Sequence, residues 1–330
     1  MGTSTRLKGH KGPVYRCVLT ADGNYVLSAG HDRSLKLWNP HKSSFIEGQG
    51  SEMKIQTAAS KSQNLEWAQD KERDGLLVHS YDNVHGYEVV DVAVTHDNSR
   101  FLSCGGDKLA YLWDVKAGRV VRKLFGHEQR LNAVCLKPKD STVAMTASYD
   151  ATVRLWDLRQ FNSRPIQILK DFKDSVTSVC CSEDEIMACS MDGFVYVYDI
   201  RAGRLYKDKF GAGISWISLS SDDKCILSSC LSSPAPQLCL TEKSSGNMLQ
   251  SYSGHENTGY RLTNCFDNHD ETVFSGSESS EIFQWDLVSG KVLKVFKGLH
   301  SRAVSSICFH PNDPAFVSSS YDGTCIYHEI

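Results

Sequence analysis

The chain has 330 residues, a formal net charge of -3 and 41% hydrophobic residues. This hydrophobic content excludes a globally disordered chain, and the slightly acidic balance argues against a protein that coats nucleic acid or an anionic membrane. No apolar run approaches the roughly 20 residues of a membrane helix, and residues 1–12 contain no apolar signal-peptide core. The sequence therefore predicts a soluble intracellular protein.

The twelve cysteines lie mostly within apolar runs that have the pattern of strands. A thiol in such a position acts as a small hydrophobic side chain. No two cysteines have the C-x-x-C spacing of a metal or redox site. We therefore predict core thiols in a reducing compartment, with neither disulfides nor a bound metal.

The clearest sequence unit runs from Leu124 to Leu158. It opens with Gly126-His127, contains a turn at Asp150 and closes with Trp156-Asp157. Apolar and polar residues alternate between these markers, which indicates strands that are half or wholly buried. The unit is predicted to be an antiparallel sheet of about 40 residues.

This unit recurs along the chain. Its closing pair occurs seven times, as Trp38-Asn39, Trp113-Asp114, Trp156-Asp157, Tyr198-Asp199, Cys239-Leu240, Trp285-Asp286 and Tyr327-His328. From the second pair onward the spacing is 41 to 46 residues, close to the period of four-stranded propeller blades. We therefore predict an all-β fold with seven blades in one domain, 1–330. The expected blade bounds are about 9–81, 82–124, 125–169, 170–210, 211–252, 253–296 and 297–330.

A histidine and an aspartate also recur in fixed places within the units. The opening histidines are His10, His85, His127, His255 and His300, and the turn aspartates are Asp32, Asp107, Asp150, Asp192 and Asp322. Units four to six are degenerate: Phe172 and Phe210 replace the histidine in units four and five, and residues 232–234 and 278–280 replace the aspartate turn in units five and six.

Together these residues resemble the WD-repeat family. That resemblance implies a buried hydrogen-bonded chain in each complete blade, running from the aspartate through the histidine and a strand hydroxyl to the tryptophan. Histidine, aspartate and serine also form hydrolase sites, but their repetition with a tryptophan favours a structural network, since buried polar groups must be paired. The predicted members are the histidines and aspartates named above with Trp38, Trp113, Trp156 and Trp285.

The N-terminal residues are expected to close the ring. Residues 3–8 lie directly before Gly9-His10, where the other units have the outer strand of the preceding blade. They are therefore predicted to complete blade seven, which would remove exposed sheet edges.

The first two closing pairs are 75 residues apart, which places an insert at about 41–74, between the third and outer strands of blade one. The insert is expected on the face opposite the aspartate turns. Residues from Ser62 to Asp74 are predicted as a short helix that Ser62 caps and Gly75 stops. Two interpretations remain: a surface insertion that costs little stability, or a partner-binding segment that uses Trp67.

No metalloprotease, phosphate-loop, nucleophile-elbow or dinucleotide-binding motif occurs. We therefore predict a protein without catalysis, cofactor, metal or small-molecule substrate. The remaining candidates for function are therefore exposed surface residues. Tyrosine and arginine are enriched in the hot spots of protein interfaces. The candidate partner-binding residues are Tyr87, Arg130, Tyr149, Arg302 and Tyr321 on the face with the aspartate turns, and Trp67 in the insert.

Arg159 and Arg201 follow the closing pairs of two consecutive units. This W-D-x-R pattern resembles the one carried by WD-repeat substrate receptors of cullin-4 ubiquitin ligases. An arginine after a blade strand is also ordinary, so the ligase role is kept as the alternative function.

Several loops also resemble one branch of the WD-repeat family, the mitogen-activated protein kinase organizers, or WD repeat-containing protein 83. The likeness is carried by His85–Asp91, Gly105–Lys108, Leu112–Val115, Gly118–Lys123 and Tyr252–Asn257. It implies a scaffold in nucleus and cytoplasm, monomeric within a larger complex, whose partners are spliceosomal proteins or components of a MAP kinase cascade. Sequence-specific nucleic acid binding and membrane binding are not expected.

Overall fold

The computed structural model describes residues 3–43, 73–160, 164–231 and 237–330. These ranges contain β-strands and turns but no helix, and thus no helix that is long and apolar enough to cross a membrane. The strands form four-stranded antiparallel sheets, which we call blades 1 to 7 in chain order.

The chain begins with β1 (Ser4–Lys8), which belongs to the last blade. Blade 1 comprises β2 (Val14–Leu19), β3 (Val26–Gly30), β4 (Leu35–Ser43) and β5 (Arg73–Tyr81). Blade 2 comprises β6 (Val89–Val94), β7 (Arg100–Gly105), β8 (Ala110–Asp114) and β9 (Arg119–Leu124). Blade 3 comprises β10 (Leu131–Leu136), β11 (Val143–Ser148), β12 (Val153–Asp157) and β13 (Gln167–Leu169). Blade 4 comprises β14 (Val176–Cys181), β15 (Glu185–Ser190), β16 (Phe194–Asp199) and β17 (Arg204–Lys209).

The remaining strands repeat the same order. Blade 5 comprises β18 (Gly213–Leu219), β19 (Cys225–Leu231), β20 (Gln237–Glu242) and β21 (Met248–Tyr252). Blade 6 comprises β22 (Asn264–Phe266), β23 (Thr272–Gly276), β24 (Ile282–Asp286) and β25 (Val292–Phe296). Blade 7 comprises β26 (Val304–Phe309), β27 (Ala315–Ser320), β28 (Thr324–Glu329) and β1.

The first strand of each blade contacts the first strand of the next, and β26 contacts β2, so the seven blades form a closed ring around a central channel. A separate apolar cluster fills each of the seven junctions between neighbouring blades. Trp38, Trp113, Trp156 and Trp285 lie in these clusters. Trp38, for example, packs with Val317 and Tyr327 of blade 7. The core is therefore divided among the junctions, and each blade depends on both neighbours for burial of its apolar faces.

Residues 4–8 close the ring as predicted. β1 pairs antiparallel with β28, with Ser4 opposite His328 and Lys8 opposite Thr324, and Leu7 is fully buried. The other side of β1 pairs in parallel with β5 at Thr5 and Arg6. Blades 1 and 7 thus share one eight-stranded sheet.

The two strands that flank the predicted insert extend further into it than the sequence analysis expected. β4 continues to Ser43, and β5 already begins at Arg73. The predicted helix is therefore wrong at its end, since Arg73 and Asp74 pair as strand residues with β1. The rest of that helix and Trp67 lie outside the described residues, as do residues 232–234.

Strand register corrects two of the seven closing positions. Trp38 pairs with Val26, and the residues with the same pairing in blades 5 and 7 are Thr241 and His328. The assignments to Cys239 and Tyr327 were wrong, because no tryptophan marks this position in blades 5 and 7 and the spacing alone does not fix the register. His328, like Trp156, lies six positions after its turn aspartate.

Candidate protein-interaction surface

Blade 3 contains a complete hydrogen-bonded network. His127 Nδ1 lies 2.8 Å from the Asp150 carboxylate, and its Nε2 lies 2.8 Å from Thr146 Oγ1. The indole N–H of Trp156 donates to the same hydroxyl oxygen at 3.0 Å. The network ties the loop before the first strand to the second and third strands, which fixes their register.

The same network occurs in blades 1 and 2 with serine as the hydroxyl. The members are His10, Asp32, Ser28 and Trp38 in blade 1, and His85, Asp107, Ser103 and Trp113 in blade 2. Blade 7 has His300, Asp322 and Ser318. Its fourth position is His328, whose buried Nε2 has no hydrogen-bond partner among the described residues.

The electrostatics of the blade 3 network fit a neutral imidazole beside a carboxylate. Burial lowers the pKa of His127. Burial by itself would raise the pKa of Asp150, but hydrogen bonds from His127 and Thr152 outweigh it and hold that pKa well below its usual range. Nδ1–H therefore donates to Asp150, and Nε2 accepts from the hydroxyl.

These residues do not form a reaction centre. The hydroxyls of Ser28, Ser103, Thr146 and Ser318 belong to residues with no exposed surface. A nucleophile must reach its substrate, and a hydroxyl inside a blade cannot. The geometry thus assigns the four networks to blade architecture.

Blade 4 replaces the histidine by another donor. Phe172 takes its place and packs against Tyr196 at a ring distance of 4.5 Å. The Tyr196 hydroxyl donates to Asp192 at 2.6 Å, so the turn aspartate keeps a side-chain partner without an imidazole.

Blade 6 keeps the histidine but loses the aspartate. Both ring nitrogens of His255 are buried and have no hydrogen-bond partner among the described residues, and burial lowers its pKa to about 4. Trp285 instead donates to the Ser253 carbonyl. Glu278 accepts from the backbone N–H groups of residues 258–260 and so holds this loop in place.

An ion-pair cluster that the sequence did not predict lies in the central channel. A β-bulge near the start of most first strands directs the next side chain inward. At this position Asp91 carries a buried carboxylate, which lies 3.2 Å from Arg16 Nε and 3.3 Å from an Arg261 terminal nitrogen. The Trp216 ring contacts both guanidinium groups, at 4.5 and 4.7 Å from its centroid. These four residues join blades 1, 2, 5 and 6 across the channel.

The loops with the histidines and turn aspartates form what we call the upper face. Beside the two channel arginines, this face carries a tyrosine cluster, defined as Tyr15, Tyr260 and Tyr321. The rings of Tyr15 and Tyr260 both meet Tyr321 edge-on, at 5.6 and 4.7 Å. Tyr260 is largely exposed, so the cluster presents aromatic surface to solvent near the channel mouth.

The predicted partner-binding residues occupy two parts of this face. Tyr321 belongs to the tyrosine cluster, whereas the Arg130 guanidinium lies over the exposed Tyr149 ring at 5.0 Å. Tyr87 and Arg302 are exposed and lie at the starts of blades 2 and 7. The structure therefore brings these residues to one face but not to one patch.

Tyr15 and Tyr260 were missed by sequence reasoning. Each directly precedes a channel arginine, in Tyr15-Arg16 and Tyr260-Arg261. This repeated dipeptide, within the first strand of blade 1 and just before that of blade 6, was the available signal.

Arg159 and Arg201 lie at the opposite, lower face, after the third strands of blades 3 and 4. Arg159 binds the Asp157 carboxylate with two nitrogens, each at 3.0 Å. Arg201 Nε lies 2.8 Å from Asp184. Both side chains are exposed, but each guanidinium already has a carboxylate partner.

Comparison with known proteins supports this architecture. The family model described as "WD domain, G-beta repeat" matches residues 2–39, 75–114, 118–157, 163–199 and 290–328. Its matches leave out residues 200–289, which contain blade 5 and most of blade 6. Blade 4, which also lacks the histidine, is still matched.

The chain also resembles curated proteins over most of its length. It is 30% identical to "WD repeat domain-containing protein 83 homolog" of Dictyostelium discoideum, over 96% of this chain and 95% of that protein. It is 37% identical to "WD repeat domain-containing protein 83" of Homo sapiens, over 94% of this chain and 86% of that protein. The identity to the Danio rerio protein of the same name is 38%, over 94% and 86%. The chain therefore belongs to the WD-repeat family, among homologues of WD repeat domain-containing protein 83, and WD-repeat propellers generally serve as non-catalytic scaffolds that bind other proteins.

Proposed function

We propose that this scaffold binds its partner proteins through the upper face, and that these partners are spliceosomal proteins, components of a MAP kinase cascade, or both. The observation that carries the proposal is the tyrosine cluster beside the channel arginines. Tyrosine and arginine supply a large share of binding energy in protein interfaces. We place the protein in the nucleus and the cytoplasm, where these two groups of partners would be met.

A pull-down with matched variants tests the proposal. Tagged full-length protein is incubated with nuclear and cytoplasmic extracts, and the bound proteins and small nuclear RNAs are identified. Tyr260→Ala and Tyr149→Ala alter the upper face. Tyr206→Ala is the control, because Tyr206 is 48% exposed and Tyr149 is 47% exposed, but Tyr206 lies on the outer strand β17.

Recovery of splicing proteins with their RNAs by the wild type and Tyr206→Ala, and their loss with the upper-face variants, would support the splicing role. Recovery of kinase-cascade proteins without those RNAs would support signalling alone. Equal binding by all variants would contradict docking on the upper face.

The alternative function, a substrate receptor of a cullin-4 ubiquitin ligase, is favoured by the matching positions of Arg159 and Arg201 in consecutive blades. Adaptor binding would have to compete with Asp157 and Asp184 for the two guanidinium groups. The double variant Arg159→Ala, Arg201→Ala should abolish co-purification of a cullin-4 adaptor if this alternative is correct.

A further inference from the structure

The outer strands of the blades differ in the chemistry of their free edges. A free edge has unpaired backbone N–H and C=O groups and can pair with another strand, and proteins commonly guard such edges with lysine or arginine. β9 contains Arg119, Arg122 and Lys123, and β17 contains Arg204, Lys207 and Lys209. β25 has Lys294 within it and lysines on both sides. These edges are guarded.

β21 is the exception among the five-residue or longer outer strands with a free edge. Its sequence from Met248 to Tyr252 contains no charged residue, and no strand other than β20 pairs with it in the described part of the chain. Met248 is 58% exposed and Leu249 is 54% exposed. A bulge between Met248 and Gln250 interrupts the pairing with β20, but an apolar edge without charged residues still favours strand pairing between molecules.

The surface beside β21 is also apolar. Gln250 donates to the Val288 carbonyl at 2.9 Å, which holds the turn between β24 and β25 against β21. The Val288 side chain is 84% exposed. Exposed apolar side chains thus lie on both faces of this edge, since the successive strand residues Met248 and Leu249 point to opposite faces.

We infer that β21 is a self-association edge, at which β21 of a second copy of this chain pairs antiparallel with it. The argument is electrostatic. In a two-fold symmetric pair each residue faces a residue of the same strand. β17 would then bring Arg204 opposite Lys209, and β25 would bring Lys294 opposite itself, which is destabilising. β21 brings no like charges together and places its exposed apolar residues beside identical ones.

The molecule already contains pairing between outer strands. β5 of blade 1 and β1 of blade 7 pair at two positions and merge two blades into one sheet. Pairing through β21 would likewise join two copies of blade 5 into eight strands. One five-residue strand buries less surface than the roughly 1,600 Å² of a standard interface, so the dimer is expected to be weak and concentration-dependent. This differs from the monomer expected from the sequence.

Sedimentation-velocity ultracentrifugation of the full chain tests the inference, from low micromolar to several hundred micromolar protein. The weight-average mass of the wild type should rise from 36.7 kDa toward twice that value. Leu249→Lys introduces the missing guard and should keep the mass at that of the monomer. Val121→Lys is the control, since Val121 is 42% exposed on the already guarded β9, and should associate like the wild type.

A wild type that stays monomeric throughout would overturn the inference, as would a Leu249→Lys variant that associates normally or a Val121→Lys variant that does not associate. Circular dichroism checks that each variant is folded. If Leu249→Lys fails this check, Met248→Lys, on the same edge, gives the same test. The outcome is independent of the pull-down, because it requires no partner protein.

Discussion

The two buried histidines of blades 3 and 6 allow one substitution to be made in opposite settings. His127 has a partner at each ring nitrogen, whereas His255 has none among the described residues. Phenylalanine fits the blade at this position, because Phe172 occupies it in blade 4. His127→Phe and His255→Phe therefore compare the same change in shape with different losses of hydrogen bonding.

For His127→Phe the structure predicts a clear loss of stability. Leaving a buried polar group without its hydrogen-bond partner costs about 1–3 kcal/mol, and more when that group is a charged carboxylate such as Asp150. Asp150, however, keeps the N–H groups of Glu128 and Thr152 and the Thr152 hydroxyl. Because both Asp150 and Thr146 lose a partner, we expect a loss of about 3 kcal/mol.

For His255→Phe the expected sign is reversed. A buried polar group without a partner costs about 1–3 kcal/mol, and the substitution removes two such nitrogens. The aromatic contact with Trp285, now 5.5 Å between ring centroids, can be kept by phenylalanine. We expect unchanged stability or a gain of about 1–2 kcal/mol.

The assay is urea unfolding followed by tryptophan fluorescence and circular dichroism, with the free energy of unfolding compared between variants whose slopes agree. A loss of stability in His255→Phe equal to that in His127→Phe would refute the reasoning, because hydrogen-bond partners would then not decide the role of the histidine.

Three further outcomes are expected. Asp91→Ala should lower the free energy of unfolding by about 3–5 kcal/mol, since it leaves Arg16 and Arg261 without their shared carboxylate; unfolding like the wild type would show that the channel cluster contributes nothing. Deletion of residues 1–8 should strongly lower the melting temperature, because it removes Leu7 from the core and exposes the edge of β28; a truncated chain that melts like the full chain would contradict closure by β1. Burial lowers the pKa of His255 to about 4 in the folded chain, so between pH 6.5 and pH 4 only the unfolded chain should protonate it. The free energy of unfolding should therefore decrease with falling pH by up to roughly 3 kcal/mol. His255→Phe should lose this pH dependence, and an unchanged pH profile in that variant would contradict the assignment.

The ring of blades and its closure could be predicted from the sequence because their signals are local and repeated. His127, Asp150 and Trp156 lie within 30 residues of one another, and the same spacing recurs in other blades. Where that local signal weakens, the prediction fails by two residues at Cys239 and by one at Tyr327. The fixed six-residue distance from the turn aspartate to the closing residue would have corrected the second error.

The channel cluster could not be predicted in this way. Arg16, Asp91, Trp216 and Arg261 come from four blades, and no repeat relates their side chains. Only the curvature of the ring and the bulges of the first strands bring them together. The residues that face the channel differ from one blade to the next, so no sequence period marks which of them will form ion pairs.

The pairing of β1 with both β28 and β5 has a consequence for synthesis on the ribosome. β28 is made more than 300 residues after β1, which at about 5–20 residues per second is a delay on the order of tens of seconds. β5 emerges much earlier, and its parallel contact at Thr5 and Arg6 gives the nascent β1 a temporary place to dock. β1 would then pair first with β5 of blade 1 and only later with β28 of blade 7. One side of the closing strand would thus be paired long before the ring closes.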